Sequence, residues 1–312
     1  MCKSNDRRQR GVALITAVLI VALVTTVAAT MASRQQLDIR RTSNLFDADR
    51  AWLFALGGED WARGVLRRDA EEGDVDHLGE DWAEVLPPLV VEGAVLGGAL
   101  EDMQGRFNLN NLVNAQGEPV DVEIKRFERL LTLVELESNL AAAVVDWVDE
   151  NVDPLFPDGA EDDVYMGESP GYRAANRPMA SASELALVKG IGYEGYQKLL
   201  PYVTALPERT PLNVNTAPAL VLATVVDDLS EADGEALVEA RGEEGFTSVE
   251  DFLGQSIFND LEIDQSTLSV SSDYFLITAA VEFGRSRTTL FGLLSRTDDG
   301  EVVTLTRGRG AY

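Results

Sequence analysis

The sequence predicts an α+β fold: one long N-terminal helix covers an antiparallel sheet, and a large helical domain is inserted into that sheet. Three observations carry this prediction. No Gly or Pro occurs between Val12 and Leu56, so a single helix can run through that whole stretch. Strand-like runs fall into two groups, one within residues 89–112 and one after Asp273. Neither group makes a stable sheet alone, because three or more strands with one covered face are needed. Between them, residues from about 120 to 270 read mainly as helices. Strands on both sides of a helical block predict one discontinuous sheet, with the N-terminal helix as its cover.

The helix opens with Val12–Ala32, 21 residues without a charge, in which only Thr16, Thr25, Thr26 and Thr30 are polar. As a helix it spans roughly 31 Å, enough to cross the hydrocarbon core of a bilayer. Lys3, Arg7, Arg8, Arg10 and then Gly11 precede it. Three readings compete. A cleaved secretory signal would have a shorter core and a small-x-small site behind it. An uncleaved signal anchor fits the length, with the basic residues holding the N-terminus in the cytoplasm. A short basic stretch ending in Gly directly before the apolar helix also resembles a type IV pilin-like leader. Beyond the span, Leu37, Leu45, Ala48, Trp52, Leu53 and Leu56 recur at helical intervals and predict a packed face, with the helix ending at Gly57-Gly58 or near Asp69.

After Pro87-Pro88, the runs 89–96 and 99–112 read as short strands separated by Gly97-Gly98. Helices are expected over 122–136 and 140–149. Strands return at 274–283, 286–295 and 301–306, with turns at Gly284-Arg285 and 297–300.

Composition removes several kinds of chemistry. The chain has 312 residues, a net charge of −27, one cysteine (Cys2) and one histidine (His77). No intramolecular disulfide can form and multi-histidine zinc sites lack their residues, while Cys2 ahead of the apolar segment and a lone His77 in a solvated acidic loop make Cys-His and Ser-His-Asp arrangements unexpected. An acidic surface of this size repels nucleic acid and suits divalent cations.

The acidic run from Asp146 to Tyr165 is the richest in chemistry. Nine of its 20 residues are Asp, Glu or Asn, and it follows an apolar helix. Carboxylates packed so densely beside a core repel one another unless a cation intervenes. Calcium takes six to eight oxygens in flexible geometry. The alternating Asp149, Asn151 and Asp153 bring oxygens to one centre, and Glu161, Asp162 and Asp163 close the shell from beyond the Pro157-Asp-Gly159 turn. The EF-hand pattern is not matched. A solvated acidic loop is the bland alternative. A second is a signal-anchored periplasmic hydrolase in which Asp146 and Asp149, on one helical face, act as acid and base.

Ser181 with Glu184 has the spacing of a capping box, and Gly190-Ile-Gly192 joins two short helices. The pattern is like a helix-hairpin-helix, and a partly similar unit spans 213–253. The first hairpin is about neutral and the second strongly acidic, so no nucleic-acid partner is expected.

Read along the whole chain, these segments resemble the general secretion pathway protein K family, minor pseudopilins of the type II secretion system. The resemblance is carried by the Arg-Gly leader, Asp146-Trp-Val-Asp149, the runs 159–165, 172–185 and 201–207, and Asn213-Val-Asn-Thr-Ala-Pro218. It implies a pseudopilin fold with a large inserted α-domain and a place at the pseudopilus tip with minor pseudopilins I and J. It also implies calcium in the inserted domain, without assigning ligands. Prepilin peptidase would cut between Gly11 and Val12 and methylate Val12, leaving a single-pass inner-membrane anchor with the globular part in the periplasm. The expected division is 1–11 leader, 12–32 transmembrane helix, 33–118 with 271–312 as the discontinuous pseudopilin domain, and 119–270 as the inserted domain. Pilins usually carry Glu at the fifth mature residue. Here that residue is Thr16, which suits a subunit with no neighbour above it, where a buried carboxylate would lack its cation.

Overall fold

The computed structural model of the protein describes residues 6–310 apart from Asp228, Asp260, Glu262 and Asp298, with side chains described from Val12 onward. Helix α1 (Asp6–Glu72) runs for 67 residues. The side chains of its apolar first part lie in the open. Thr16, Thr25, Thr26 and Thr30 each donate their hydroxyl to the carbonyl four residues back, at 2.6 to 2.9 Å. That pairing spares these hydroxyls the cost of lying unbonded in lipid.

α1 continues through Gly57-Gly58, so the later of the two predicted ends is the one the structure follows. The packed face agrees with expectation in part, since Trp52 and Leu56 are half-buried against the helix–sheet core. Leu37, Leu45 and Leu53 are more than half exposed, whereas Ala51, Ala55, Ala62 and Leu66 are fully buried. Small residues let the helix backbone approach the sheet closely. A Cβ added at Gly58 would touch that of Ala279 at 3.5 Å. The spacing of large apolar residues therefore marks only part of the contact, at Trp52 and Leu56.

Strands β1 (Leu86–Val91) and β2 (Ala94–Asp102) form a hairpin. Its turn is Glu92-Gly93, whose φ values of 49° and 87° supply the left-handed pair a two-residue hairpin needs. Gly97-Gly98, expected to separate two strands, instead lies inside β2. Gly98 is required there because a Cβ would come within 2.5 Å of the Thr278 carbonyl oxygen on the neighbouring strand. The chain then leaves the sheet. It passes through β3 (Phe107–Asn108), α2 (Asp121–Leu133), α3 (Leu140–Val148), α4 (Asp162–Tyr165), α5 (Gly192–Leu199), β4 (Val203–Thr204) and β5 (Leu212–Asn213). It continues through α6 (Ala219–Leu222), α7 (Glu231–Arg241), α8 (Val249–Leu253) and β6 (Leu268–Ser269). Strands β7 (Tyr274–Phe283), β8 (Ser286–Arg296) and β9 (Val302–Arg309) complete a five-stranded antiparallel sheet in the order β1-β2-β7-β8-β9.

Alternation along β7 divides the sheet's two faces. Phe275, Ile277, Ala279 and Val281 pack toward α1, while Tyr274 and Leu276 join Met103, Leu206 and Leu293 on the other side. Residues 107–113, assigned from sequence to the sheet-bearing domain, pack elsewhere. Phe107, Leu109, Leu112 and Val113 are buried with Phe127, Val144 and Trp147 in a helical core. A second helical core gathers Leu237, Phe246 and Phe252.

The two crossings between sheet and insertion are tied together. Asp102, the last residue of β2, accepts from the Gln104 amide (2.7 Å), Asn213 Nδ2 (3.0 Å), Thr216 Oγ1 (2.5 Å) and Ser272 Oγ (2.7 Å). Burial pushes its carboxyl up to about 6, and the bonds from Thr216, Ser272 and Gln104 oppose the rise.

Ser181 and Glu184 do not close a reciprocal capping box. The element they begin is a 3₁₀ helix (Ala182–Leu187), and Ser181 Oγ accepts from the amide of Ser183 at 3.2 Å. Glu184 instead accepts the Ala180 amide (2.8 Å) and the Trp147 indole N–H (3.1 Å). The reciprocal box forms at Ser230 and Asp233, at the start of α7. Gly190 and Gly192, with φ of 79° and 60°, make the tight joint before α5.

Candidate cation site

Asp146 and Asp149 sit on the last turn and at the C-terminal cap of α3, and they have different fates. Asp146 is fully buried. Its Oδ1 and Oδ2 accept the Leu155 amide (3.0 and 3.1 Å), and Oδ2 also accepts that of Ala160 (2.7 Å). It is spent on holding the following loop, and its burial leaves no approach for a substrate. The acid–base pairing that i, i+3 spacing suggested gains no support.

Asp149 is 1% exposed and Glu161, just before α4, is 3% exposed. A chain of side-chain bonds links them. Asn151 Nδ2 donates to Asp149 Oδ2 (2.7 Å), Asn176 Nδ2 donates to the Asn151 carbonyl (2.8 Å), and the same Nδ2 reaches Glu161 Oε2 (3.3 Å). Each of the three outer members leaves one buried oxygen without a well-formed hydrogen bond, Asp149 Oδ1, Glu161 Oε1 and Asn176 Oδ1, while the Asn151 and Asp162 amides also act on the Asp149 and Glu161 carboxylates. Burial, then the Asp146 and Glu161 charges, pushes the Asp149 carboxyl up to about 7. Burial, followed by the charges of Asp146 and Asp162, raises Glu161 as well, against the Asn176 bond. Three unpartnered buried oxygens on hydrogen-bond-linked residues, two of them on carboxylates disfavoured as anions, are donors of the kind a hard divalent cation takes.

The other predicted ligands turn away. Asn151 spends its side chain on Asp149 and on the Asp153 amide (2.7 Å). Asp153 is exposed. Asp162 accepts the Ala174 amide (3.1 Å) and lies 3.7 Å from Arg173, and exposed Asp163 accepts the neighbouring Val164 amide (2.9 Å). Asn176, which sequence spacing did not select, stands 25 residues beyond Asn151 and enters the site with φ 44°. An asparagine tolerates that left-handed conformation better than most residues, but no periodicity announces it.

A second carboxylate cluster, Asp69, Asp76 and Glu80, brings its oxygens within 4.8 Å of one another. Its cation is already present. Arg296 places Nη1 2.8 Å from Asp69 and Nη2 2.5 Å from Asp76, and donates to the Ser272 carbonyl at 2.7 Å. Glu80 accepts the His77 amide (2.9 Å) and the Trp82 indole N–H (2.6 Å). His77 is half-buried, with Nδ1 accepting from the Gly79 amide (3.2 Å). Of these two clusters of described residues, it is the 149–176 site that leaves buried oxygens without partners.

At the N-terminal site, α1 is continuous through Gly11 and Val12, and Val12 is exposed. Cys2 and Lys3 lie outside the described residues.

The comparisons agree with this architecture. Two family models described as "Type II secretion system (T2SS), protein K" match residues 105–208 and 212–271. Type II secretion system protein K of Pseudomonas aeruginosa is 41% identical, with 97% of this chain and 94% of that protein covered. The protein of the same name from Klebsiella pneumoniae is 36% identical, with 90% and 91% covered. A solved chain from the GspK-GspI-GspJ complex of the enterotoxigenic Escherichia coli type 2 secretion system superposes with a TM-score of 0.78 at 25% identity, covering 87% of this chain and all of that one. The long helix on an antiparallel sheet, the helical insertion between β2 and β7, and matches along nearly the entire length place this chain in the type II secretion system protein K family, a pseudopilin family of protein transport.

Proposed function

We propose that this protein is a minor pseudopilin that caps or initiates the pseudopilus at its tip, together with minor pseudopilins I and J, and so helps folded proteins leave across the outer membrane. The observation that carries the reading is the whole-chain likeness to a relative solved in a GspK-GspI-GspJ complex. Thr16 supports the tip position: its hydroxyl is satisfied within its own helix at 2.6 Å and asks nothing of a subunit above. Val12–Ala32 serves as an inner-membrane anchor before assembly, with a cytoplasmic N-terminus and a periplasmic head. Prepilin peptidase cuts between Gly11 and Val12 and methylates Val12. The role is mechanical, with no catalysis.

In this reading calcium is held by Asp149, Glu161 and Asn176. When bound, it supplies positive charge to two carboxylates that burial disfavours. The chain's own residues do the rest: Asp146 pins the intervening loop, and Asn151 spaces Asp149 from Asn176.

Complementation tests the role. Cells lacking this chain should regain secretion into the medium when it is supplied, and it should co-purify with the I and J subunits from detergent. Mass analysis of the membrane-extracted chain should give N-methyl-Val12 as the first residue. Restored secretion by a chain that retains Met1 would remove the processing route, and label found along the filament shaft would remove the tip assignment.

A further inference from the structure

The turn from Leu155 to Ala160 is ordered but not covered. Asp146 holds the amides of Leu155 and Ala160 at its two ends, and the Gly159 amide donates to the Leu155 carbonyl at 2.8 Å. A Cβ at Gly159 would strike the Asp146 carboxylate, so the turn sits directly on its buried clamp. Out of this pinned turn projects Phe156, 93% exposed, with Val152, 69% exposed, in the same loop.

A ring left in water forgoes the burial that makes aromatic side chains stabilising. The backbone hydrogen bonds at both ends fix the place on the surface from which this ring projects. A preorganised aromatic projection loses little entropy on binding, and aromatic anchors entering pockets dominate protein interfaces. Charge narrows the occupant. Glu150, Asp153 and Asp158 lie in the same loop, and residues 103–273 contain 32 of the chain's 53 acidic residues but only 10 of its 26 basic ones. Such a surface is repelled by an anionic bilayer and is complementary to basic side chains.

We propose that Phe156 anchors the inserted domain to a partner protein whose surface offers an apolar pocket rimmed by lysine or arginine. This rests on the secretion role above, and the two can fail separately. The test uses the full-length chain in cells lacking it, with exported protein in the medium as readout. Phe156→Ser should cut secretion at least tenfold while leaving the chain's cellular level and its melting temperature as in the wild type. Phe156→Leu should restore most of the loss, and Asp158→Arg should lower secretion with Phe156 intact. Normal secretion by Phe156→Ser, or by Asp158→Arg, overturns the docking proposal. A wild-type chain that fails to restore secretion removes the functional reading and this proposal with it. Two further measurements exclude other occupants. Phe156-dependent self-association of the detergent-solubilised chain in sedimentation would make the occupant a second copy. Phe156-dependent flotation with phosphatidylglycerol–phosphatidylethanolamine vesicles would make it a bilayer. Either result overturns the proposal.

Discussion

Arg307 on β9 grips Glu59 on α1 with two parallel bonds, Nε to Oε2 at 2.7 Å and Nη2 to Oε1 at 2.8 Å. Thr304 adds its hydroxyl at 2.5 Å. The Glu59 side chain is 1% exposed, so a carboxylate inside the helix–sheet contact is fully satisfied there. Burial by itself would raise its pKa, but the Arg307 and Thr304 bonds and the Arg307 and Arg63 charges bring it below the ordinary glutamate value.

Arg307→Met is therefore expected to destabilise the protein by about 2 kcal/mol at neutral pH, because a buried charge loses its hydrogen-bonded partner. A carboxyl held low stabilises the fold above its unfolded pKa, and that contribution disappears as pH falls through its folded value. The variant's deficit in urea unfolding should accordingly shrink at pH 3.5. Equal deficits at both pH values would show that the pair contributes nothing through charge.

Calcium should raise the melting temperature of the detergent-solubilised chain relative to a chelator, by an amount corresponding to about 2.7 kcal/mol when free calcium is about 100 times its dissociation constant. Asp149→Asn and Glu161→Gln should each abolish most of the gain. Asp149 is pushed up to about 7, so without metal its proton stabilises the fold at low pH. That benefit declines as pH rises from the ordinary aspartate value toward 7. Calcium needs the carboxylate, so its gain in melting temperature should grow between pH 6 and pH 8. A gain that is flat or falling over this range would separate Asp149 from the site.

Asp146→Ala tests the loop clamp. Two backbone amides would lose their acceptor, with an expected cost of about 2–4 kcal/mol. Calcium titration should also show weaker binding, although neither Asp146 oxygen is among the unpartnered ones. Asp146→Asn keeps one acceptor oxygen and should lose less. Unchanged calcium affinity in the alanine variant would mean that the loop holds its shape without the clamp.

Asn213, which is fully buried, bonds Asp102, Ser272 and the Asp76 carbonyl through Nδ2, at 3.0, 2.9 and 3.2 Å, and accepts the Asn215 amide at 2.9 Å. Asn213→Ala should cost about 3 kcal/mol and expose the Ser272 and Gln104 amides to hydrogen exchange. A loss below about 0.5 kcal/mol would mean that water replaces the amide at no penalty.

Several features could be read directly from residue order. The absence of Gly and Pro between Val12 and Leu56 dictates one long helix, and strand-like runs separated by turn residues after Asp273 dictate three strands, since both patterns act within a few residues. The acidic loop was also visible, because density of charge needs no fold to be recognised. Its ligands were only partly visible. Asp149 and Glu161 face inward, Asp153 and Asp163 face water, and Asn176 arrives from a segment far along the chain. Spacing reports which residues are neighbours in sequence, not the side to which an irregular loop turns them. Likewise, the packed face of α1 joins a stripe of alanines and Gly58 to Trp52, Leu56, Val65 and Leu66, because close approach to the sheet rewards small side chains at its centre. What the sequence determined alone was the long helix, the interrupted sheet and the place where carboxylates crowd. What only the tertiary structure decided was which surfaces touch, which carboxylates lose water and which oxygens are left without partners, since each depends on atoms brought together from distant parts of the chain.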